Sequence, residues 1–292
     1  MNIALNSDIS AVDFNGVDIA AVEFNGVEVW RKASPAPVEP TTWQRKSWTG
    51  LAYPVGEYIW TDGTNIYYSN DSTQYILDKS TSTWSAKTWT GITRLDGRDI
   101  WTDGENIYYS STTTQRVLNK STSTWSTKAW TDLTSFSGRR IWTDGTNIYY
   151  SSDSGQYVLN KSTSTWSTKT WKGLTNFNGE NIWTDGTNIY YSIGTTQYVL
   201  NKSTNTWVAK TWYGLTNFSG QQIWTDGYYF YYNNYATSVG DQSYILDRST
   251  STWNEKTWVG GPNTFYGKNV WTDGDNIYYG GSDNTRYVLV KP

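Results

Sequence analysis

The chain has 292 residues with 19 Trp and 24 Tyr, a formal charge of −3, and neither histidine nor cysteine. Without cysteine there are no disulfides, thiolate nucleophiles or sulfur metal sites, and without histidine the commonest general base and transition-metal ligand are gone. Few enzyme classes remain, no metal or cofactor is expected, and the absence of a basic footprint or an 18-residue apolar stretch argues against nucleic acid and membrane insertion.

The charge is uneven. Residues 1–40 hold Asp8, Asp13, Asp18, Glu23, Glu28 and Glu39 against Arg31 and Lys32, a balance of −4 that leaves about +1 for the rest. Residues 9–30 repeat with a period of ten, and Val12, Phe14, Val17, Ile19, Val22, Phe24, Val27 and Val29 alternate with polar neighbours. That period-2 pattern marks half-buried strands, and Asn15-Gly16 and Asn25-Gly26 are turns suited to positive φ at both central positions. Residues 1–30 are therefore expected to form a small arm of two hairpins, too small to be stable alone, that anchors through Val12, Phe14, Val17, Val22, Phe24 and Val27. Residues 31–40, with three prolines in Ala33-Ser-Pro-Ala-Pro-Val-Glu-Pro40, read as an extended linker.

Residues 41–292 are a tandem repeat. Trp-Thr-Asp-Gly begins at Trp60, Trp101, Trp142, Trp183, Trp224 and Trp271, at four intervals of 41 residues and one of 47. A fixed period of this length means stacked supersecondary units that bury their apolar surface only against neighbours. The unit Arg98 to Gly138 reads as four strands: Asp99 to Thr102, Asn106 to Tyr109, Gln115 to Asn119 and Thr124 to Trp130. Short apolar runs in the first three suit a sheet covered on both faces. Four short strands per unit, repeated six times, predict an all-β fold: a six-bladed β-propeller of four-stranded antiparallel blades. The tandem opens with a fourth-type strand, Thr42 to Trp48, and ends with a third-type strand, Arg286 to Val290. Residues 42–48 are therefore expected to complete the sixth blade and close the ring.

Two regular features invite a functional reading. A lysine precedes the second outer Trp in every copy (Lys46, Lys87, Lys128, Lys169, Lys210, Lys256), and lysine on an exposed edge strand blocks sheet-to-sheet pairing. The six aspartates at 62, 103, 144, 185, 226 and 273 are expected to cap their own Asp-Gly turns. They do not form a catalytic pair, which needs two carboxyls in different environments.

The unit resembles kelch repeats over residues 41–292. The resemblance rests on Gly280-Gly281 after Ile277-Tyr-Tyr, and on Tyr157-Val-Leu-Asn-Lys-Ser-Thr-Ser-Thr-Trp166 as a strand, a polar turn and an outer-strand tryptophan. Only the sixth unit has the paired glycines; other copies show Tyr68-Ser69, Tyr109-Ser110 or Tyr232-Asn233. The resemblance implies an interaction scaffold, and the kelch enzymes similar to galactose oxidase need histidines and a cysteine-linked tyrosine that this chain lacks. The arm, with Val12-Asp-Phe-Asn-Gly-Val17 and Val27-Glu-Val-Trp30, resembles leader segments of bacteriophage tail and adsorption proteins. That resemblance implies a virion protein whose residues 1–30 dock to another virion component.

Sequence differences among the copies concentrate in the second-to-third and fourth-to-first loops, which emerge on one face of an antiparallel blade. Glu57, Arg98, Arg139, Glu180, Gln221 and Lys268 begin the inner strands, followed by Tyr58, Asp99, Arg140, Asn181, Gln222 and Asn269. Farther out lie Tyr53, Arg94, Phe136, Phe177, Phe218, Phe265 and Tyr266, and the fifth unit carries an insertion within Tyr228 to Gly240 that includes Tyr235. Loops on a rigid scaffold diversify without disturbing it. The expected binding face therefore contains Tyr53, Glu57, Arg94, Arg98, Arg139, Glu180, Gln221, Tyr235, Tyr266 and Lys268, facing a host-surface glycan or protein or a virion partner. A second reading is a secreted, multivalent carbohydrate-binding lectin with near-identical pockets built from the repeated Trp and Tyr. A third, a hydrolase using Glu57, Asp99 and Glu180, lacks a second catalytic group in a distinguishable environment.

Overall fold

Each unit becomes one antiparallel blade because its strands are short, its turns tight and its second strand apolar on both faces. The computed structural model describes residues 12–14, 17–19, 21–24, 27–31, 38–236, 240–262, 265–281 and 286–290. In the second blade the strands are Ile100–Thr102, Ile107–Ser110, Gln115–Asn119 and Thr124–Thr127, paired in that order. Six such sheets follow one another, and the first adds a fifth strand, Leu95–Asp96, antiparallel to Ile66–Asp71. The fold is an all-β, six-bladed propeller.

The turn between the first two strands is held by its own aspartate. Asp103 Oδ1 accepts the N–H groups of Glu105 (3.0 Å) and Asn106 (2.7 Å), and Oδ2 accepts the Tyr108 hydroxyl at 2.9 Å. The carboxylates of Asp62, Asp144, Asp185, Asp226 and Asp273 make the same bonds. Gly104 in this turn has φ 95°, a conformation that glycine adopts without strain.

Cores lie between blades. Successive tyrosines of the second strand point to opposite faces, as the period of two demands. Tyr109 joins Trp60, Tyr67 and Trp125 between blades one and two, while Tyr108 joins Trp101, Tyr150 and Trp166 between blades two and three. Six clusters of this kind run around the ring. Each buries an outer-strand tryptophan (Trp43, Trp84, Trp125, Trp166, Trp207 or Trp253) at 0–2% exposure, a contribution of about 2–3 kcal/mol apiece.

The outer strand is shorter than its sequence suggests. It ends at Thr127 in the second blade, and Trp130 leaves the sheet to pack 5.6 Å from Trp101 and 5.9 Å from Trp166. At the seam Thr42–Arg45 is the sixth blade's outer strand, with Trp43 opposite Leu289 and Gln44 opposite Val288. Trp48 continues into the next interface against Trp84, Trp271 and Tyr278. The expected closure is thus made by residues 42–45, and Trp48 belongs to the core beyond it.

The outer-strand lysines do not guard a bare edge. The linker leaving each blade already bridges the start of the next outer strand: Trp125 N–H donates to the Thr90 carbonyl at 2.8 Å, and Trp43 N–H to Val259 in the same way. With that stretch of edge satisfied, the lysines reach sideways. Lys46, Lys87, Lys128, Lys169 and Lys210 donate to Ser82, Ser123, Ser164, Asn205 and Ser251 of the following blade, and Lys256 to the Pro40 carbonyl. Each ammonium also lies 4.6–4.8 Å from the ring of the second outer Trp, a cation–π contact in partly buried surroundings.

The chain divides into two compact units, Met1–Glu39 and Pro40–Pro292. In the first, Val12–Phe14 pairs with Val17–Ile19 and Ala21–Phe24 with Val27–Arg31, both antiparallel. The turns Asn15-Gly16 and Asn25-Gly26, residues 32–37 of the linker, and the facing of Val12, Phe14, Val17, Val22, Phe24 and Val27 lie outside what is described.

Candidate binding face

A single turn of 3-10 helix precedes every inner strand: Gly56–Tyr58, Gly97–Asp99, Gly138–Arg140, Gly179–Asn181, Gly220–Gln222 and Gly267–Asn269. Each touches the next, so the six turns encircle the axis. Their first residue is glycine because the blades nearly collide there. A Cβ on Gly138 would lie 2.0 Å from the Asp99 carbonyl oxygen, and one on Gly267 would lie 1.8 Å from that of Gln222. The second and third residues of each turn supply the side chains.

Those side chains form an ionic ring. Lys268 Nζ lies 3.0 Å from Glu57, whose other oxygen is 3.9 Å from Arg98. Arg98 binds Asp96 at 2.8 Å and lies 4.6 Å from the Tyr58 ring centre. Arg139 pairs with Asp99 at 3.1 Å and Asp96 at 3.5 Å, and Arg140 with Glu180 at 3.4 Å. Asp99 is only 5% exposed and also accepts the Ser137 hydroxyl, which makes Arg139 its necessary counter-charge. The Asp96 carboxylate beside Arg98, and Asp99 beside Arg139, push both guanidinium groups further above their ordinary value. Asp96, Asp99, Glu57 and Glu180 balance Arg98, Arg139, Arg140 and Lys268, so the ring is neutral. It is interrupted in the fifth blade, where Gln221 is exposed and Gln222 buried.

The structure therefore brings Glu57, Arg98, Arg139, Glu180 and Lys268 together around the axis, with Gln221 in the gap. The other expected residues stand apart. Arg94 is clamped to Asp71 by two bonds of 2.5 Å, pinning the loop to the hairpin of blade one. Tyr53 is exposed and carries the Arg286 guanidinium 4.6 Å from its ring centre. Tyr266 is half-buried just before the Gly267 turn. Tyr235 belongs to the strand Phe230–Ala236, and its side chain lies outside what is described. Phe136, Phe177, Phe218 and Phe265 are 0–2% exposed and fill the gaps between blades, so they are core and not face.

Sequence reasoning missed Asp96, the clamp shared by two arginines, and the glycine ring that sets the diameter. The glycine signal was present in every copy, at 56, 97, 138, 179, 220 and 267. Asp96 has no counterpart among the other copies and leaves no such trace. Two clefts lie farther out: one of about 360 Å³ lined by Trp89, Ile92, Arg94 and Arg116, and one of about 490 Å³ lined by Ser243, Trp258, Pro262 and Phe265. Among the described residues no three Asp or Glu side chains converge to hold a metal ion.

No protein-family model and no curated protein matches the sequence. Solved structures do match in shape. The extracellular domain of a one-component system from B. thetaiotaomicron is 12% identical with a TM-score of 0.51, over 86% of this chain and 40% of that one. A hybrid two-component system extracellular domain from the same organism is 10% identical with a TM-score of 0.49, over 80% of this chain and 33% of that one. The chain thus spans two fifths or less of these structures, and at such identity the likeness is one of fold. No helix among the described residues is long and apolar enough to cross a membrane.

Proposed function

We propose that this chain is a non-enzymatic, kelch-like binding protein of a bacteriophage virion. Its arm docks to a tail or capsid component, and its propeller offers the variable face to a host surface or a virion partner. The observation that carries the reading is the segregation of sequence differences: the side chains that differ most between blades collect on the axial turns and the loops beside them, while the Asp-Gly turns stay the same six times over. The arm adds to it, being a separate unit joined to the propeller by a proline-rich stretch.

A binding role also suits the chemistry of the face. Glu57, Asp99 and Glu180, the carboxylates a hydrolase would use, are each paired with a cation of the ring. A neutral ring favours a polar partner over a strongly charged one. The lectin with six alike pockets loses its main support, because the outer-strand Trp rings it would use lie inside the cores between blades. Co-sedimentation tests the reading. The full chain is expected to pellet with phage particles, and the chain lacking residues 1–38 to stay in solution. Equal pelleting of both, or of neither, would remove the anchoring role of the arm.

A further inference from the structure

We infer that the fifth blade carries a saccharide-binding cleft, larger than the one beside the matching Trp89 of the first blade, which takes a single pyranose ring or a terminal disaccharide. This rests on the reading of the variable face as the binding face. Four blades share a pair of facing residues, Ser69–Gln74, Ser110–Gln115, Ser151–Gln156 and Ser192–Gln197. The serine accepts the indole N–H of the inner-strand tryptophan at 2.8–2.9 Å. In the first three of these blades the glutamine amide donates at 3.2 Å to the carbonyl of Leu95, Phe136 or Phe177, tying the loop to the third strand.

The fifth blade exchanges the sizes. Asn233 stands where the others have serine and Ser243 where they have glutamine. Asn233 Oδ1 takes the Trp224 N–H at 2.5 Å, and its amide donates to Ser243 Oγ at 2.7 Å. The tryptophan remains satisfied, but the long amide that would fill the space below Phe265 is gone. The loop is also one residue longer, with seven steps from Trp258 to Phe265 against six from Trp89 to Leu95, and it carries Gly260-Gly261-Pro262.

The result is the cleft of about 490 Å³ bounded by Ser243, Lys256, Trp258, Gly261, Pro262 and Phe265, within the usual range of small-molecule sites. Trp258 is half-buried, as is Trp48 at the seam, whereas their counterparts Trp89, Trp130, Trp171 and Trp212 are 3–7% exposed. Trp224 stacks 5.9 Å from the Trp258 ring and Lys256 Nζ lies 4.7 Å from its centre, so a sugar meets the indole edge. That edge, beside a hydroxyl and peptide groups bare of side chains, matches the hydroxyl rim of a pyranose. The lining is too polar for an acyl chain, and its ammonium already bonds the Pro40 carbonyl.

The test uses the full chain and a panel of hexoses, N-acetylhexosamines and sialic and uronic acids, followed by NMR of the tryptophan indole N–H signals. A panel member is expected to shift the Trp258 signal with a Kd of about 1 mM, the range for so small a ligand. Asn233→Ser/Ser243→Gln, which restores the sister-blade pair, is expected to weaken that binding at least tenfold without lowering the melting temperature. Single Ser243→Gln serves if the double variant misfolds. Isolated host-surface polysaccharide, run in parallel, separates a terminal glycan residue from a free sugar. No Trp258 shift from any sugar at about 50 mM, or undiminished binding in the variants, overturns the cleft. Cell or particle binding that survives the substitution removes the cleft and leaves the variable face standing. Wild-type protein that binds no surface yet shifts Trp258 with sugar removes the face reading alone.

Discussion

The two ends of the propeller are made from one repeated unit, yet one end keeps its Trp-Thr-Asp-Gly turn in every blade and the other differs in each. On the Asp-Gly end, side chains bond backbone. Asp144 takes the N–H groups of Thr146 and Asn147, and Lys202 of the next unit bonds the Asp144 carbonyl at 3.2 Å. Backbone groups do not change with sequence, so a side chain of that length and charge is needed each time. On the axial end, side chains bond one another: Lys268 with Glu57, Arg139 with Asp99, Arg140 with Glu180. Any set that balances will serve, and variation there leaves the scaffold intact.

This contrast can be broken most severely at the seam. A chain lacking residues 1–49 loses the strand opposite Arg286–Val290 and Trp43 with it, and is expected to melt more than about 10 °C below a chain lacking residues 1–38. Equal melting temperatures would show that the ring does not depend on that strand. Next comes the glycine ring. Gly138→Ala forces a Cβ to 2.0 Å from the Asp99 carbonyl, whereas Gly145→Ala meets open space and only the strain of φ 91°. Urea unfolding is expected to show a loss of more than about 2 kcal/mol for the first and about 1 kcal/mol for the second. Asp144→Ala, which strands two turn N–H groups and the Tyr149 hydroxyl, is expected to cost about 1–2 kcal/mol in the same assay.

The turns also govern the response to pH. Burial raises the carboxyls of Asp62, Asp103, Asp144, Asp185 and Asp273, but bonds from backbone N–H groups and tyrosine hydroxyls outweigh it and hold them below the usual 3.8. A depressed folded value gives stability that is complete above the unfolded one and lost as pH falls through the folded one. Burial and then the aspartate bond push Tyr67, Tyr108, Tyr149, Tyr190 and Tyr278 above the usual 10.0. Their stabilisation is complete below that value and is lost as pH climbs past it. With no histidine or cysteine, the melting temperature is expected to be flat between about pH 5 and 9 and to fall on both sides. A step near pH 6–7 would contradict this account. The smallest effect is expected on the variable end, where Glu180→Gln should change stability by less than about 0.5 kcal/mol. A cost equal to that of Asp144→Ala would erase the contrast.

The fold was legible because its strands and turns are local and repeated. Trp-Thr-Asp-Gly and Ile-Tyr-Tyr announce a capped turn and a strand buried on both faces without knowledge of any neighbour. What failed were contacts between blades. Nothing within Thr124 to Trp130 says that the strand stops at Thr127 so that Trp130 can turn into the core. Lys128 reads as an edge guard until Ser164 of the next blade is seen 2.7 Å away. Phe136 sits in a loop that varies, and only packing against Tyr150 and Trp166 shows it to be core. The axial positions were located by counting, but their pairing was not, since Asp96 and Arg139 belong to different blades. The fifth-blade cleft needed both halves: a serine that reads as an ordinary strand residue, and the loop it no longer holds.

The strand Thr42–Arg45 has a mechanical consequence. It is where the polypeptide coming from the arm enters the propeller, and it is held by its ladder to Arg286–Val290 and by the Val259 bridge. Tension on the tether is therefore delivered to the Pro40 and Thr41 carbonyls, held by Lys256 and the Val259 N–H, and then to the four residues whose detachment would open the circle. If the arm docks to a particle as proposed, a pull on the bound head loads this clasp before the blades away from the seam.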